Sequence, residues 1–140
     1  QTGSEELIFR GYLMQQLAAR FKSAIIWMGV PALLFGAAHY NSEIDPNLAL
    51  LVSCATGVVG LVAADLTRIT GNLGVAMGFH FINNFFALFL VSIAGEMSGL
   101  SLYHAPFTMD DVETLIPLIL VDMATVVLIW AILRRWLRPS

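Results

Sequence analysis

The sequence predicts an all-α fold, a polytopic transmembrane helical bundle of about five membrane helices. Three observations carry this expectation. Hydrophobic residues make up 58% of the 140 residues and charged residues 12%, against roughly 25% charged in a soluble domain. Mean hydropathy is +0.78, and a soluble chain with that much apolar surface would aggregate. The apolar residues gather into five segments, and backbone groups in lipid must be satisfied within their own segment, which selects helices over open strands.

The first segment, Glu5 to Arg20, is amphipathic, with Leu7, Ile8, Tyr12, Leu13 and Leu17 at helical spacing. Ala24 to Tyr40 follows, with Pro31 as the expected kink. Leu48 to Leu66 is rich in Gly and Ala, which suits close helix packing in lipid. Gly74 to Ala94 and Leu115 to Leu133 complete the set. The last three approach the ~20 residues needed to span. No repeat or second domain breaks the chain, so residues 1–140 read as a single membrane-embedded core. The loop from Gly95 to Thr114 is long enough to fold over a site.

The connecting loops alternate in charge. Arg20 and Lys22, then Arg68, then Arg134, Arg135 and Arg138 fall on one side. Glu43, Asp45, Glu96, Asp110, Asp111 and Glu113 fall on the other. The basic side is the expected cytosolic face. A net charge of -3 with no basic stripe excludes nucleic acid as a partner and leaves membrane lipid. Cys54 stands alone in an apolar run, cannot form an internal disulfide, and is expected to be a small buried residue.

Ionisable groups at membrane depth are costly, so those present point to function. Glu6 and Arg10 are four apart, share a helix face and can pair. Glu5 points about a quarter turn away with a free carboxylate, and adjacent acids repel, which suits one of them to accepting a proton. The structural alternative is a capping box, Thr2-Gly3-Ser4-Glu5. His39 ends Phe35-Gly36-Ala37-Ala38-His39, where it either serves a site or meets the last carbonyls of its helix. Glu5 and His39 each lie about seventeen residues from the turn near Lys22, about 25 Å along antiparallel helices, so they sit at one depth. His80 and Asn84 share another helix face, with Phe79, Phe81, Phe85 and Phe86 expected to keep them dry. Counted from the turn near Gly71, His80 is shallower than His39, which requires a re-entrant stretch at Thr70 to Gly74 or a tilted helix. Asp65 pairs locally with Arg68, Asp122 has no evident partner and is set outside the site, and His104 is solvated.

Glu-Glu-x-x-x-Arg (Glu5, Glu6, Arg10), Phe-x-x-x-His (Phe35, His39) and His-x-x-x-Asn (His80, Asn84), on successive apolar helices, resemble the CPBP (Abi) family, which comprises CAAX prenyl proteases and proteins of bacteriocin processing or self-immunity. The resemblance covers about residues 4 to 84. It implies an intramembrane endopeptidase of a prokaryotic cell membrane acting on a membrane-associated protein or peptide. By that resemblance Glu5 is the general base and His39 helps hold the attacking water. His80 and Asn84 steady the oxyanion, and Glu6 and Arg10 support. It also implies upstream membrane helices, so that a chain opening at Gln1 with no basic-then-apolar leader is an excerpt of a longer protein. The family has been called metallo- as well as glutamic-type. Glu5, His39 and His80 are the ligand types for a catalytic zinc, but no His-Glu-x-x-His pair occurs and a metal-bound Glu is no free base, so no cofactor is the favoured expectation. Two other classes compete. One is a non-catalytic membrane partner, such as a bacteriocin self-immunity protein. The other is a proton-coupled transporter, for which no inverted repeat is seen.

Overall fold

A computed structural model of the chain describes residues 1–87, 91–92 and 101–137. Helix α1 (Thr2–Glu6), a π-helical stretch (Leu7–Leu13) and α2 (Met14–Arg20) follow one another without a break in right-handed backbone. Then come α3 (Ala24–Ala37), α4 (Pro46–Thr70), α5 (Gly74–Phe85) and α6 (Val112–Trp136). The all-α expectation needs one amendment: Val91–Ser92 (β1) pairs in parallel with Tyr103–His104 (β2). The fourth apolar segment therefore is not one helix through Ala94. Its α-helix ends at Phe85 and the chain is extended at residues 91–92, where β-branched Val91 and Ser92 are weak helix formers. Its other residues beyond 87 lie outside the described residues, as do Gly95 to Leu100 of the long loop, with Glu96, and Arg138.

Among the described residues two helices, α4 and α6, are long and apolar enough to cross a membrane, and α3 is a shorter apolar helix. The start of α4 is written in Asp45-Pro46: the Asp45 side chain accepts from the amides of Asn47 and Leu48, and Pro46 occupies the first turn. Gly71 ends it at φ 71°, a left-handed conformation that suits a residue without Cβ. Thr70 to Gly74 is a compact hydrogen-bonded turn, so the re-entrant alternative is set aside.

The Gly/Ala content of α4 acts as the sequence implies. Helices α3 and α4 approach so closely that a Cβ on Gly36 would lie 2.5 Å from the Ser53 carbonyl oxygen and 3.2 Å from Gly57 Cα. The Ser53 hydroxyl donates to the Gly36 carbonyl across the same contact. Gly36→Ala must push the helices apart, and overpacking of this kind costs about 1–3 kcal/mol. A thermal-unfolding midpoint in detergent unchanged by Gly36→Ala would contradict this packing. Cys54 corrects an expectation. It is exposed and faces an apolar hollow of about 790 Å³ between α3 and α4, because its position on α4 turns it from the buried Val59–Val62–Leu66 face.

The far end of the bundle is tied by Asp65. The expected pair with Arg68 is present at 2.7 Å, and Asp65 also accepts from Trp130 Nε1 and Arg134 Nη1, each at 2.9 Å. This joins α4 to α6 at the basic end of the molecule. Asp65→Ala is expected to cost about 1–3 kcal/mol, chiefly through the buried acceptor lost to Trp130; the half-exposed arginines can turn to solvent. The check is a double-mutant cycle of Asp65→Ala with Trp130→Phe, whose coupling should be of similar size.

Candidate active site

The four groups brought together most closely are Glu5, Glu6, Arg10 and His80. Glu6 and Arg10 meet as their spacing requires, Arg10 Nη1 donating to Glu6 Oε1 at 2.9 Å, with side chains 0% and 1% exposed. The other guanidinium nitrogen donates to the Gly60 carbonyl on α4 at 2.9 Å. A Cβ on Gly60 would lie 3.2 Å from that nitrogen, so glycine there lets the guanidinium reach the helix backbone. The guanidinium also lies 4.8 Å from the Phe35 ring centroid, a cation–π contact that partly replaces lost hydration.

His80 reaches this pair from α5. Its Nδ1 stands 2.7 Å from Glu6 Oε1. A carboxylate only accepts, so Nδ1 carries the hydrogen and donates it. The opposite ring nitrogen, Nε2, therefore faces Glu5, whose Oε2 lies 3.5 Å away. Sequence reasoning turned Glu5 away from Glu6; in the fold both carboxylates contact the one imidazole, which lies between them. The capping-box alternative for Glu5 is not formed. Gln1 is the N-cap with no side-chain cap bond, and Ser4 instead donates to the Gln1 carbonyl. Glu5 Oε2 and Glu6 Oε2 are buried without a hydrogen-bond partner among the described residues. Two carboxylates against one guanidinium leave an excess negative charge, which a proton on or between Glu5 and His80 would neutralise.

Phe35 is the hub between the motifs. Its ring is 1% exposed and packs against Phe9 at 5.1 Å, His39 at 4.7 Å and His80 at 5.6 Å between centroids. Phe9 is one turn beyond Glu5 and Phe35 one turn before His39, so the Phe9–Phe35 contact sets the first helix and α3 in the antiparallel register that the shared depth required. His39 and His80 both touch this ring, so their counted difference in depth does not separate them. His39 Nδ1 donates to the Phe35 carbonyl at 2.8 Å. The helix-end reading thus describes one nitrogen, and Nε2 has no partner among the described residues.

The aromatic sheath expected around His80 is corrected. Phe81, Phe85 and Phe86 are exposed, because residues at those positions of α5 face outward. Phe79 packs on the core beside Val59 and Val62. Phe35, from another helix, is the ring that covers His80. Asn84 contacts the Thr2 hydroxyl at 3.4 Å. Together with Phe35, His39, His80 and Thr56, it lines a cavity of about 280 Å³. That is just under the roughly 300–1,000 Å³ of a drug-sized site, room for a peptide link more than for long side chains.

The cavity also takes in Asp122 from α6 and Asn83 from α5. Sequence reasoning set Asp122 aside for want of a partner. The available signal was its being the lone charge between Leu115 and Leu133. No three His, Cys, Asp or Glu side chains among the described residues converge as a metal-binding set. His104 is exposed, 3.3 Å from the Ser101 hydroxyl.

The sequence pattern of the Type II CAAX prenyl endopeptidase Rce1-like family matches residues 2–86. This covers all three motifs and more than half of the chain. The chain belongs to the Rce1-like family, a family of membrane proteases, as the motif resemblance anticipated. It is also 28% identical over 99 residues to the uncharacterized protein YyaK of Bacillus subtilis (strain 168), an alignment covering 71% of this chain and 33% of that protein. The chain thus spans about a third of the length of the curated relative it matches. No solved structure matches.

Proposed function

We propose that the protein is an intramembrane endopeptidase of a bacterial cell membrane, with about five membrane helices in this chain. It hydrolyses a peptide bond in a membrane-associated protein or peptide by a glutamic-type mechanism without a metal. The observation that carries this reading is the buried Glu5 Oε2, unsatisfied and 3.5 Å from His80 Nε2. A buried carboxylate oxygen left without a donor accepts one from a water beside His80. A water there is held by a base.

In the proposed reaction Glu5 takes a proton from that water as its oxygen attacks the scissile carbonyl. His39, anchored through Nδ1 to the Phe35 carbonyl, offers Nε2 to hold the same water. His80, whose Nδ1 is held by Glu6, uses a protonated Nε2, and Asn84 its amide, to donate to the tetrahedral oxyanion. One such donor is commonly worth about 3 kcal/mol in the transition state. As the intermediate collapses, the C–N bond breaks and Glu5 returns the proton to the leaving amine. Arg10 and Glu6 position His80 and do not touch the reacting atoms.

The test is cleavage of a panel of membrane-associated fluorogenic peptides by the full-length protein in proteoliposomes. Glu5→Ala and His39→Ala should each abolish turnover while the helical content stays intact. Turnover that survives both substitutions would end the proposal.

A further inference from the structure

Asp122 is an exposed acid on α6 that the mechanism does not use. It sits on α6 among apolar neighbours, and it makes no hydrogen bond or ion pair among the described residues. This sets it apart from Asp65 and Glu6. Asp65 is met by Trp130, Arg68 and Arg134, and Glu6 by Arg10 and His80.

Its position gives the isolation a meaning. Between α5 and α6 runs a groove of about 840 Å³, lined by apolar side chains such as Val75, Phe79, Ile82, Phe86 and Ile129. The groove and the 280 Å³ cavity of the histidines share three residues, Asn83, Ala87 and Asp122. Asp122 therefore stands where the apolar groove opens into the polar cavity. Neither hollow has a lysine or arginine in its lining. Asp122 is exposed to both hollows without a partner among the described residues, and a cation entering either is attracted to it. The N-terminal end of the same helix adds Asp110, Asp111 and Glu113, so the local field attracts cations as well.

Resting on the proteolytic reading above, we propose that Asp122 determines specificity: it receives the lysine or arginine side chain of a membrane-associated peptide whose adjoining apolar stretch lies in the α5–α6 groove. The groove takes the apolar part and Asp122 fixes its register, so that the bond next to the basic residue enters the cavity of His39 and His80.

The experiment uses full-length protein in nanodiscs and three quenched-fluorescent peptides. They share one apolar stretch and differ at a single adjoining residue, Lys, Gln or Glu. Binding is measured on the Glu5→Gln variant and cleavage on the wild type. The Lys peptide should bind about tenfold or more tighter than the Glu peptide. The near-isosteric Asp122→Asn should erase that difference, and Asp122→Lys should reverse it. Equal affinities for the three peptides, or a Lys preference that persists in Asp122→Asn, would overturn the assignment. So would displacement of the Lys peptide by an aminophospholipid from protein with Asp122 but not from Asp122→Asn, which would make a lipid headgroup the occupant. Binding with this charge preference but no cleavage refutes the protease reading and keeps the site; cleavage without charge preference does the reverse.

Discussion

Glu5→Gln is expected to lower kcat for peptide cleavage by about 10²–10⁴-fold, the usual contribution of a positioned general base. The substitution keeps the shape and hydrogen-bonding reach of the side chain but removes its ability to accept a proton. Glu5 is the one of the two acids with its carboxylate uncommitted; Glu6 already receives Arg10 and His80. The loss should therefore fall on kcat, with KM little changed, because the amide still occupies the space beside His80 Nε2. Single-turnover measurements in proteoliposomes separate the two effects. A Glu5→Gln enzyme within a few-fold of wild type would place the base elsewhere.

Arg10→Met should destabilise the fold by about 3–5 kcal/mol, the cost of stripping one partner from a buried ion pair. Methionine fills much the same volume, so the loss reports charge more than a cavity. Both groups are buried, and without Arg10 the Glu6 carboxylate keeps only His80. The Gly60 carbonyl also loses its donor. Because Glu6 orients His80, activity should fall together with stability. The double variant Arg10→Met/Glu6→Gln, which removes the uncompensated charge, should regain much of the stability but not the activity. Equilibrium unfolding in a mild detergent, read beside turnover, checks both halves. Equal stability of the single variant and the wild type would mean that the pair is not buried as described.

Contacts within one helix were legible from sequence. The pairs Glu6–Arg10 and Asp65–Arg68 follow from the helical repeat and are found at 2.9 and 2.7 Å. The level of Glu5 with His39 was legible too, because two antiparallel helices leaving one turn keep equal counts at equal depth. Contacts between helices distant in the chain were less so. His80 lies 74 residues from Glu6, and no periodicity states which way α5 turns its imidazole. The phenylalanines around His80 differ from expectation for the same reason: adjacency in sequence is not adjacency across a packed face, and the ring that covers His80 comes from α3. The setting of Asp122 is not legible because the residues that share its cavity lie on other helices, and the exposure of Cys54 is not legible because an apolar run does not say which side faces a groove.

The sequence alone determined a lipid-adapted helical chain and three motifs of its protease family, because solvation by lipid and the 3.6-residue repeat are properties of each segment by itself. The tertiary structure decided that two acids converge on one imidazole, that Phe35 packs against both histidines and the Arg10 guanidinium, and that Asp122 lines their cavity. Those relations depend on how closely and at what rotation the helices meet. Here side-chain volumes set both, down to the absent Cβ of Gly36 and Gly60 that lets α4 approach α3 and Arg10.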